Sequence, residues 1–491
     1  MKRNVALILP ALLLAACSPD LTSPADAAPA FGRDGDAGLS VGAGTIAIVT
    51  HPYNAGKGSF REAIAQANTD SRIVRVEFKP EARTIALESS VIFTGSQALT
   101  IIGKRATLDA RNAGGPAFVA NGGGNLRIED LTVANSVSEG LTVEVPATAT
   151  GTLTVRFDRV TAIGNAGHGI LVNDQVNSST TDGVQPDARG SAASLDVRVN
   201  DARFLSNGYS VSDRDGLRVN EGGLGSLTFT ARGARAEDNA ADGIELDERG
   251  DGDVVIDVED TRILRNGKLD PDDLDDGFDV DEYDAGSIVG ILRNVTASDN
   301  YEEGLDFNEN NAGDLRVDLY GVEANGNREE GIDYEEDDDF AGGGDLVTTM
   351  QNVVANGNGA DDGDAGLKVR EKGTGDLTAN IAGVVASNNA IGGIFIREDA
   401  AGQLVSNIVG AETKGNASHG IDIDENRATS TDVGNLTATV MNAVSTGNAG
   451  AGIRADQQLP GVGSLTVTNV ILTPNAGGST TGSNVVLTIV P

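Results

Sequence analysis

The 491-residue chain has no tryptophan, one cysteine, three histidines and only 4% aromatic residues. Without a second cysteine it can form no internal disulfide. No Cys/His cluster with metal-ligand spacing is present either. Sugar-cleaving grooves usually offer aromatic platforms, and this chain has few to give. Basic residues are scarce: 36 Lys and Arg stand against 73 Asp and Glu, a formal charge of -37. Such a surface repels nucleic acid and anionic headgroups and attracts divalent cations and basic partners. No apolar run reaches membrane-spanning length. Nucleophile elbow, phosphate-binding loop, EF-hand spacing and the G-G-x-G-x-D nonapeptide are all missing.

The chain begins MKRNVALILPALLLAACSPD. Lys2 and Arg3 precede a short apolar core, Val5 to Leu14, which reads as an export signal. Leu14-Ala15-Ala16-Cys17 resembles the bacterial lipoprotein box. The resemblance implies that 1–16 is a lipoprotein signal and that Cys17, the lone cysteine, becomes the acylated first residue. Ser18 rather than Asp follows, which in the resembling proteins permits outer-membrane delivery. Residues 17–43 are rich in Pro, Ala, Asp and Gly without periodicity and read as a flexible tether. The expectation is an exported monomer at the outer membrane or cell surface, touching membrane only through its lipid.

From residue 125 onward a phrase recurs: NLRIED, TLTVRF, SLDVRV, SLTFTA and eight more, with starts at Leu126, Leu153, Leu195, Leu227, Val254, Ile288, Leu315, Leu346, Leu377, Leu404, Leu436 and Leu465. The shortest spacing, 27 residues, occurs four times. A Val/Ala-rich segment ending in Asn follows (VTASDN, VEANGN), then Gly-Φ-x-Φ-x-acid, where Φ is apolar (GIELDE, GLDFNE, GIDYEE). Alternation at period two predicts strands in all three parts. Three short strands per turn can close a coil, and stacked coils bury one apolar lumen. This pattern resembles the right-handed parallel β-helix of the pectate-lyase-like superfamily. The recurrent Asn165, Asn239, Asn300, Asn327, Asn389, Asn416 and Asn448 look like that family's asparagine ladder. The fold class expected is therefore all-β: a right-handed parallel β-helix, a solenoid of about twelve coils over 121–491. Residues 44–120 are expected to form an N-terminal cap and first strands. Within them GKGSFREAIAQAN predicts a helix capped by Ser59, with Glu62 completing a capping box and Phe60, Ala63, Ile64 and Ala67 on one face.

One stretch, EEGIDYEEDDD from Glu329 to Asp339, is almost wholly acidic. Aligning the third strand across coils gives columns of like charge. The first holds Arg218, Glu245, Asp279, Asp306, Asp333 and Lys368; the second Asn220, Asp247, Asp281, Asn308, Glu335 and Arg370. The acid position after them holds Glu221, Glu248, Glu282, Glu309, Glu336 and Glu371. The x positions are expected to face solvent. Carboxylates stacked at about 4.8 Å repel unless protons or cations intervene, and carboxylates with Asn oxygens are ligands that Ca²⁺ prefers. The candidate ligands are Glu245, Asp247, Glu248, Asp279, Asp281, Glu282, Asp306, Asn308, Glu309, Asp333, Glu335 and Glu336. Insertions between Asn and Gly (GYSVSDRD, GKLDPDDLDD, GNGADDGDA) are expected to wall a groove beside them.

The leading expectation is a cell-surface binding or structural protein that holds Ca²⁺ along the strip and meets polysaccharide or other surface proteins. The alternative is a calcium-dependent polysaccharide lyase, with Lys368 as base and Arg370 nearby, or a glycoside hydrolase using carboxyls such as Asp306 and Asp333. His168 and His419 sit at corners too far apart to share a site.

Overall fold

The computed structural model describes residues 44–175, 190–210, 213–268, 275–337, 343–361, 365–425 and 433–490. The signal, Cys17 and the tether lie outside the described residues, as do the centres of the three insertions and Asp338 and Asp339.

Each NLRIED-type phrase forms a strand of one long sheet, and each Gly-Φ-x-Φ-x-acid phrase a strand of a second. Strands in both sheets pair in parallel with their counterparts one coil away. Apolar residues at every second position fill the space between the sheets. The chain is a right-handed parallel β-helix. The Val/Ala-rich segment is reduced to strands of three residues, such as Thr296–Ser298, or to single bridges such as Glu323 to Val354.

Leu195, Leu227, Val254, Ile288, Leu315, Leu346, Leu377, Leu404 and Leu436 stand in one line. Two phrase starts depart from it. Leu126 faces Val155 instead of Leu153, and Leu436 faces Gly463 instead of Leu465. Both slips are of two residues, which leaves inward and outward faces unchanged. The stack also begins before residue 121: Leu99 pairs with Leu126, and Val91–Phe93 with Phe118–Ala120. The second sheet accordingly has fourteen strands among the described residues. The extra rungs escape a motif count because no Gly-Φ-x-Φ-x-acid phrase follows them.

Phe229, Phe278, Phe307 and Tyr334 stack along the lumen, with ring centroids 6.3, 6.2 and 4.9 Å apart. Tyr334 is fully buried, and its hydroxyl donates to the Val317 carbonyl at 3.2 Å. Within EEGIDYEEDDD, then, Ile332 and Tyr334 belong to the core.

The ladder is longer than expected. Asn207, Asn266, Asn358 and Asn475 join the seven, and each amide Nδ2 donates to the Oδ1 one coil later, at 2.9 to 3.3 Å from Asn165 through to Asn475. The glycine that opens the third strand leaves room for this column. A Cβ on Gly277 would lie 2.5 Å from Asn300 Nδ2 and 2.5 Å from the Gly304 carbonyl.

The helix Phe60–Thr69 packs on the first strands. Phe60, Ala63, Ile64 and Ala67 are buried, and the Phe60 ring lies 5.2 Å from Phe78 and 5.9 Å from Phe118. The Glu62 amide donates to Ser59 Oγ at 3.1 Å, but the reciprocal half of the capping box is replaced: the Ser59 amide donates to Gly56 O. Arg61 ties the helix to the Ser90 carbonyl and to Asn54.

Candidate metal centre

Strand pairing puts the aligned columns in register. Arg218 faces Glu245, Glu245 faces Asp279, and Asp279 faces Asp306. Leu305 lies opposite Ile332, which brings Asp306 beside Asp333. The second column runs Asn220, Asp247, Asp281, Asn308, Glu335, Arg370.

Two expectations about this surface need correction. The x positions are not open to solvent: Glu245, Asp247 and Asp333 are buried, and Asp279, Asp281, Asp306, Asn308 and Glu335 half-buried. In mid-sheet each side chain is shielded by its neighbours on the adjacent rungs and column. Second, Glu248, Glu282, Glu309 and Glu336 do not join the strip. They share the inward parity of the apolar residues, are fully buried, and stack on one another inside the corner. There they take turn amides: Gly250 N donates to Glu248 Oε2 at 3.2 Å, and Gly344 N to Glu336 Oε1 at 2.8 Å.

A column not expected from the sequence replaces them. The residue before each opening glycine is Asp215, Asp242, Asp276, Glu303 and then Glu330, all buried. They stack because the glycine amide of each coil donates to the carbonyl of this residue in the next, as Gly243 N does to Asp276 O. Their side chains approach the first outward column. Oxygens of Asp276, Asp279 and Asp306 lie within 4.8 Å of one another, as do those of Asp242, Glu245 and Asp279. Further groups, Asp276 with Glu302 and Glu303, and Glu303 with Glu329 and Glu330, continue the series. The same alignment that gave the x columns contains this one, a single position earlier.

Cations close the strip at both ends. Arg218 pairs with Asp213, Glu245 and Asp247, and Arg249 reaches Asp247 at 3.3 Å. At the other end Lys368 Nζ lies 2.7 Å from Asp333 and 3.9 Å from Glu330, while Arg370 holds Glu335 and Asp399. Between them, Asp276, Asp279, Glu303 and Asp306 form no ion pair among the described residues. Asp306 accepts from Asn308 Nδ2 at 2.7 Å and Asp276 from the Glu303 amide at 2.7 Å. Asp279 Oδ1 and Asp306 Oδ1 are cut off from solvent with no hydrogen-bond partner. Burial first, then the neighbouring carboxylates, push Asp276, Asp279, Glu303 and Asp306 well above the ordinary carboxylate range. Asp281 is pushed up to about 6 by burial and by Asp247, against hydrogen bonds from Tyr283 and Asn308.

No protein-family model matches the chain, and no curated protein does. Among solved structures it is similar to pectate lyase Pel9A, with 15% identity over 66% of this chain and 78% of that one, at a TM-score of 0.43. It is also similar to the catalytic domain of a GH87 alpha-1,3-glucanase (13% identity, 90% of this chain, 68% of that one, TM-score 0.32) and to a periplasmic alginate epimerase (9%, 78% and 78%, TM-score 0.22).

The donor set is oxygen alone, which suits a hard cation and not zinc. Two Ca²⁺–oxygen bonds in line span roughly 4.8 Å. The spacing of Asp276, Asp279 and Asp306 therefore fits one ion held among three carboxylates. Lys368 and Arg370 are differently employed. Burial alone would lower Lys368, but Asp333, Glu330 and Glu335 raise it, so it stands as a fixed ammonium and not as a free base.

Proposed function

We propose that the protein is an exported β-helix, anchored through Cys17, that binds Ca²⁺ or a similar divalent cation at Asp276, Asp279, Glu303 and Asp306. On this reading the bound ion, flanked by Lys368 and Arg370, engages carboxylate groups of an acidic polysaccharide at the cell surface. The observation that carries it is the uncompensated centre: four carboxylates drawn together, largely out of water, between two cationic ends. Such an arrangement costs several kcal/mol unless a cation or protons neutralise it.

A second reading has one specific observation in its favour. Asp306 and Asp333 are neighbours, both pushed up by burial, but Lys368, hydrogen-bonded to Asp333, offsets burial more at Asp333 than Asn308 and the more distant Lys368 do at Asp306, which stands well above the ordinary range. Two carboxyls with affinities set apart in this way are the equipment of glycoside hydrolysis. β-Elimination with Lys368 as base has less support, because Asp333 holds that ammonium.

Isothermal titration of the full chain with CaCl₂ tests the first reading, followed by acidic polysaccharides in Ca²⁺ and in EDTA. Saturable Ca²⁺ binding and Ca²⁺-dependent retention of a uronate polymer are expected. Absence of cation binding sinks the reading. Reducing ends or unsaturated products released in the same mixtures move the assignment to cleavage.

A further inference from the structure

The inner face of the second sheet holds another stack of acids, and its last rungs stand apart from the cation cluster. Glu371, Glu398 and Glu425 lie in register one above another, and all are buried. Few donors reach them. The Ala400 amide donates to Glu398 Oε1 at 2.7 Å, while neither oxygen of Glu371 has a hydrogen-bond partner among the described backbone and side-chain donors. What Glu371 does touch is the carboxyls of Glu336 and Glu398 on the adjacent rungs. One oxygen of Glu398 and one of Glu425 are likewise cut off and without a donor.

The charged groups facing these three are Glu336 on the preceding rung, their own neighbours in the column, and Asp399 beside Glu398 and Glu425. The bases flanking these glutamates in sequence are engaged elsewhere: Arg370 with Glu335 and Asp399, Lys372 with Glu335 and Asp337, and Arg397 with Asp399. A Cβ on Gly402 would already lie 3.0 Å from Glu398 Oε2 and 1.6 Å from the Gly375 carbonyl, so turn backbone closes against the column. The column's next rung shows that an uncharged side chain fits. Gln457 pairs with Glu425, its Oε1 accepts the Leu436 amide at 2.7 Å, and its Nε2 donates to Gly434 O at 3.2 Å.

Two ionised carboxylates cannot stay in contact in a dry interior, whereas a carboxylic O–H donates readily to a carboxylate oxygen. We propose that Glu371, Glu398 and Glu425 share protons between rungs at neutral pH, making the inner column a zipper that weakens as the medium turns alkaline. Burial raises Glu398 to about 7 and Glu425 to about 8, and raises Glu371 further, where both neighbouring glutamates add to it. These folded-state values lie above those of the unfolded chain. Folding is therefore favoured most below the ordinary carboxylate range, and the preference is lost as pH rises through the folded values.

The test is urea unfolding of the full chain between pH 5 and 9, with Ca²⁺ saturating so that the outer acids are held constant. The folding equilibrium of the wild type is expected to fall about tenfold per pH unit for each proton held. Glu371→Gln, which places at this rung the amide that Gln457 already provides, is expected to flatten the dependence by about one proton. Infrared spectra of the folded wild type at neutral pH should contain the carbonyl stretch of un-ionised carboxylic acid, and Glu371→Gln should reduce it. A folded wild type without that band, or a variant with the wild-type slope, overturns the proposal. Should Glu371→Gln fail to fold, the wild-type band and the slope of Glu425→Gln, at the end of the acid column, decide in its place.

Discussion

Two strands of the second sheet carry nearly the same letters and meet opposite fates. Ile421–Glu425 reads IDIDE, and Leu305–Asn310 reads LDFNEN. In the first, Arg454 on the next rung lies 2.9 Å from Asp422 and 3.3 Å from Asp424, so both outward acids have a cation. On the other side stand Phe395 and Arg397, neither of them acidic. In the second, Asp306 has Asp279 on one rung and Asp333 on the other, with Asp276 and Glu303 alongside. The motif is shared; the difference lies in what the coils above and below supply. A binding site in a solenoid belongs to a stack and not to a repeat.

The comparison breaks most visibly if calcium treats both strands alike. Ca²⁺ at 100 times its Kd should add about 2.7 kcal/mol to the stability of the wild type. Asp279→Asn with Asp306→Asn should abolish that gain, and Asp422→Asn with Asp424→Asn should leave it intact. Thermal melts in Ca²⁺, in EDTA and in NaCl of equal ionic strength read the result. Equal melting in all three, or equal loss in both double variants, defeats the distinction.

A smaller effect should follow from removing the compensating base. Arg454→Met leaves Asp422 and Asp424 shielded with only Arg397, which Asp399 already holds, beside them. The expected cost at pH 8 is about 2 kcal/mol, less than for a fully buried pair because Arg454 is itself partly exposed. Burial already holds Asp422 at about 6 and Asp424 at about 7 in the presence of Arg454. Both values are raised, so stability falls as pH climbs through them, and at pH 5 the two acids are protonated and scarcely need the arginine. Urea midpoints at pH 5 and pH 8 check the sign; a loss equal at both pH values contradicts it.

The smallest change concerns the boundary of the centre. Lys368→Met frees Asp333 and Glu330 from their ammonium and lengthens the uncompensated stretch by a rung. Ca²⁺ affinity should rise by up to about tenfold, or about 1.4 kcal/mol, by calorimetric titration. Weaker binding would mean that Lys368 supports the site instead of ending it.

The pairing of Glu245 with Asp279 and of Asp279 with Asp306 was legible in the sequence because Gly-Φ-x-Φ-x-acid recurs with a fixed internal count. Burial was not. An acid after the second x reads as the start of a polar turn, yet counting from Ile244 puts Glu248 on the inward face with Leu246. Parity placed it correctly, and the habit of setting glutamates in water hid the result. Asp242, Asp276 and Glu303 were missed for a different reason. They sit on the corner, where alternation stops and no periodicity marks a direction; only stacking across coils brings them to Asp279 and Asp306. At the ends of the stack, the slips at Val155 and Gly463 show that similar phrases need not be partners when a two-residue shift keeps the same faces buried.

The asparagine column has one more property, a sense of travel. From Asn165 to Asn448 one side-chain amide hydrogen of each rung is aimed at the Oδ1 of its C-terminal neighbour, and the backbone amide of the same residue at the same oxygen, while in most rungs the second side-chain hydrogen reaches back to a backbone carbonyl, as Asn207 Nδ2 does to Ala162 O. A coil laid down on the C-terminal side meets hydrogens already pointing at the place its own oxygen will occupy. A coil added on the N-terminal side meets that oxygen as an acceptor and a single amide hydrogen aimed at its backbone carbonyl, and must orient its own two forward donors itself. Aligned amides polarise one another, so each completed rung makes the next capture stronger. Growth from the N-terminus is the downhill direction for such a template, and it is also the order in which a ribosome delivers the coils.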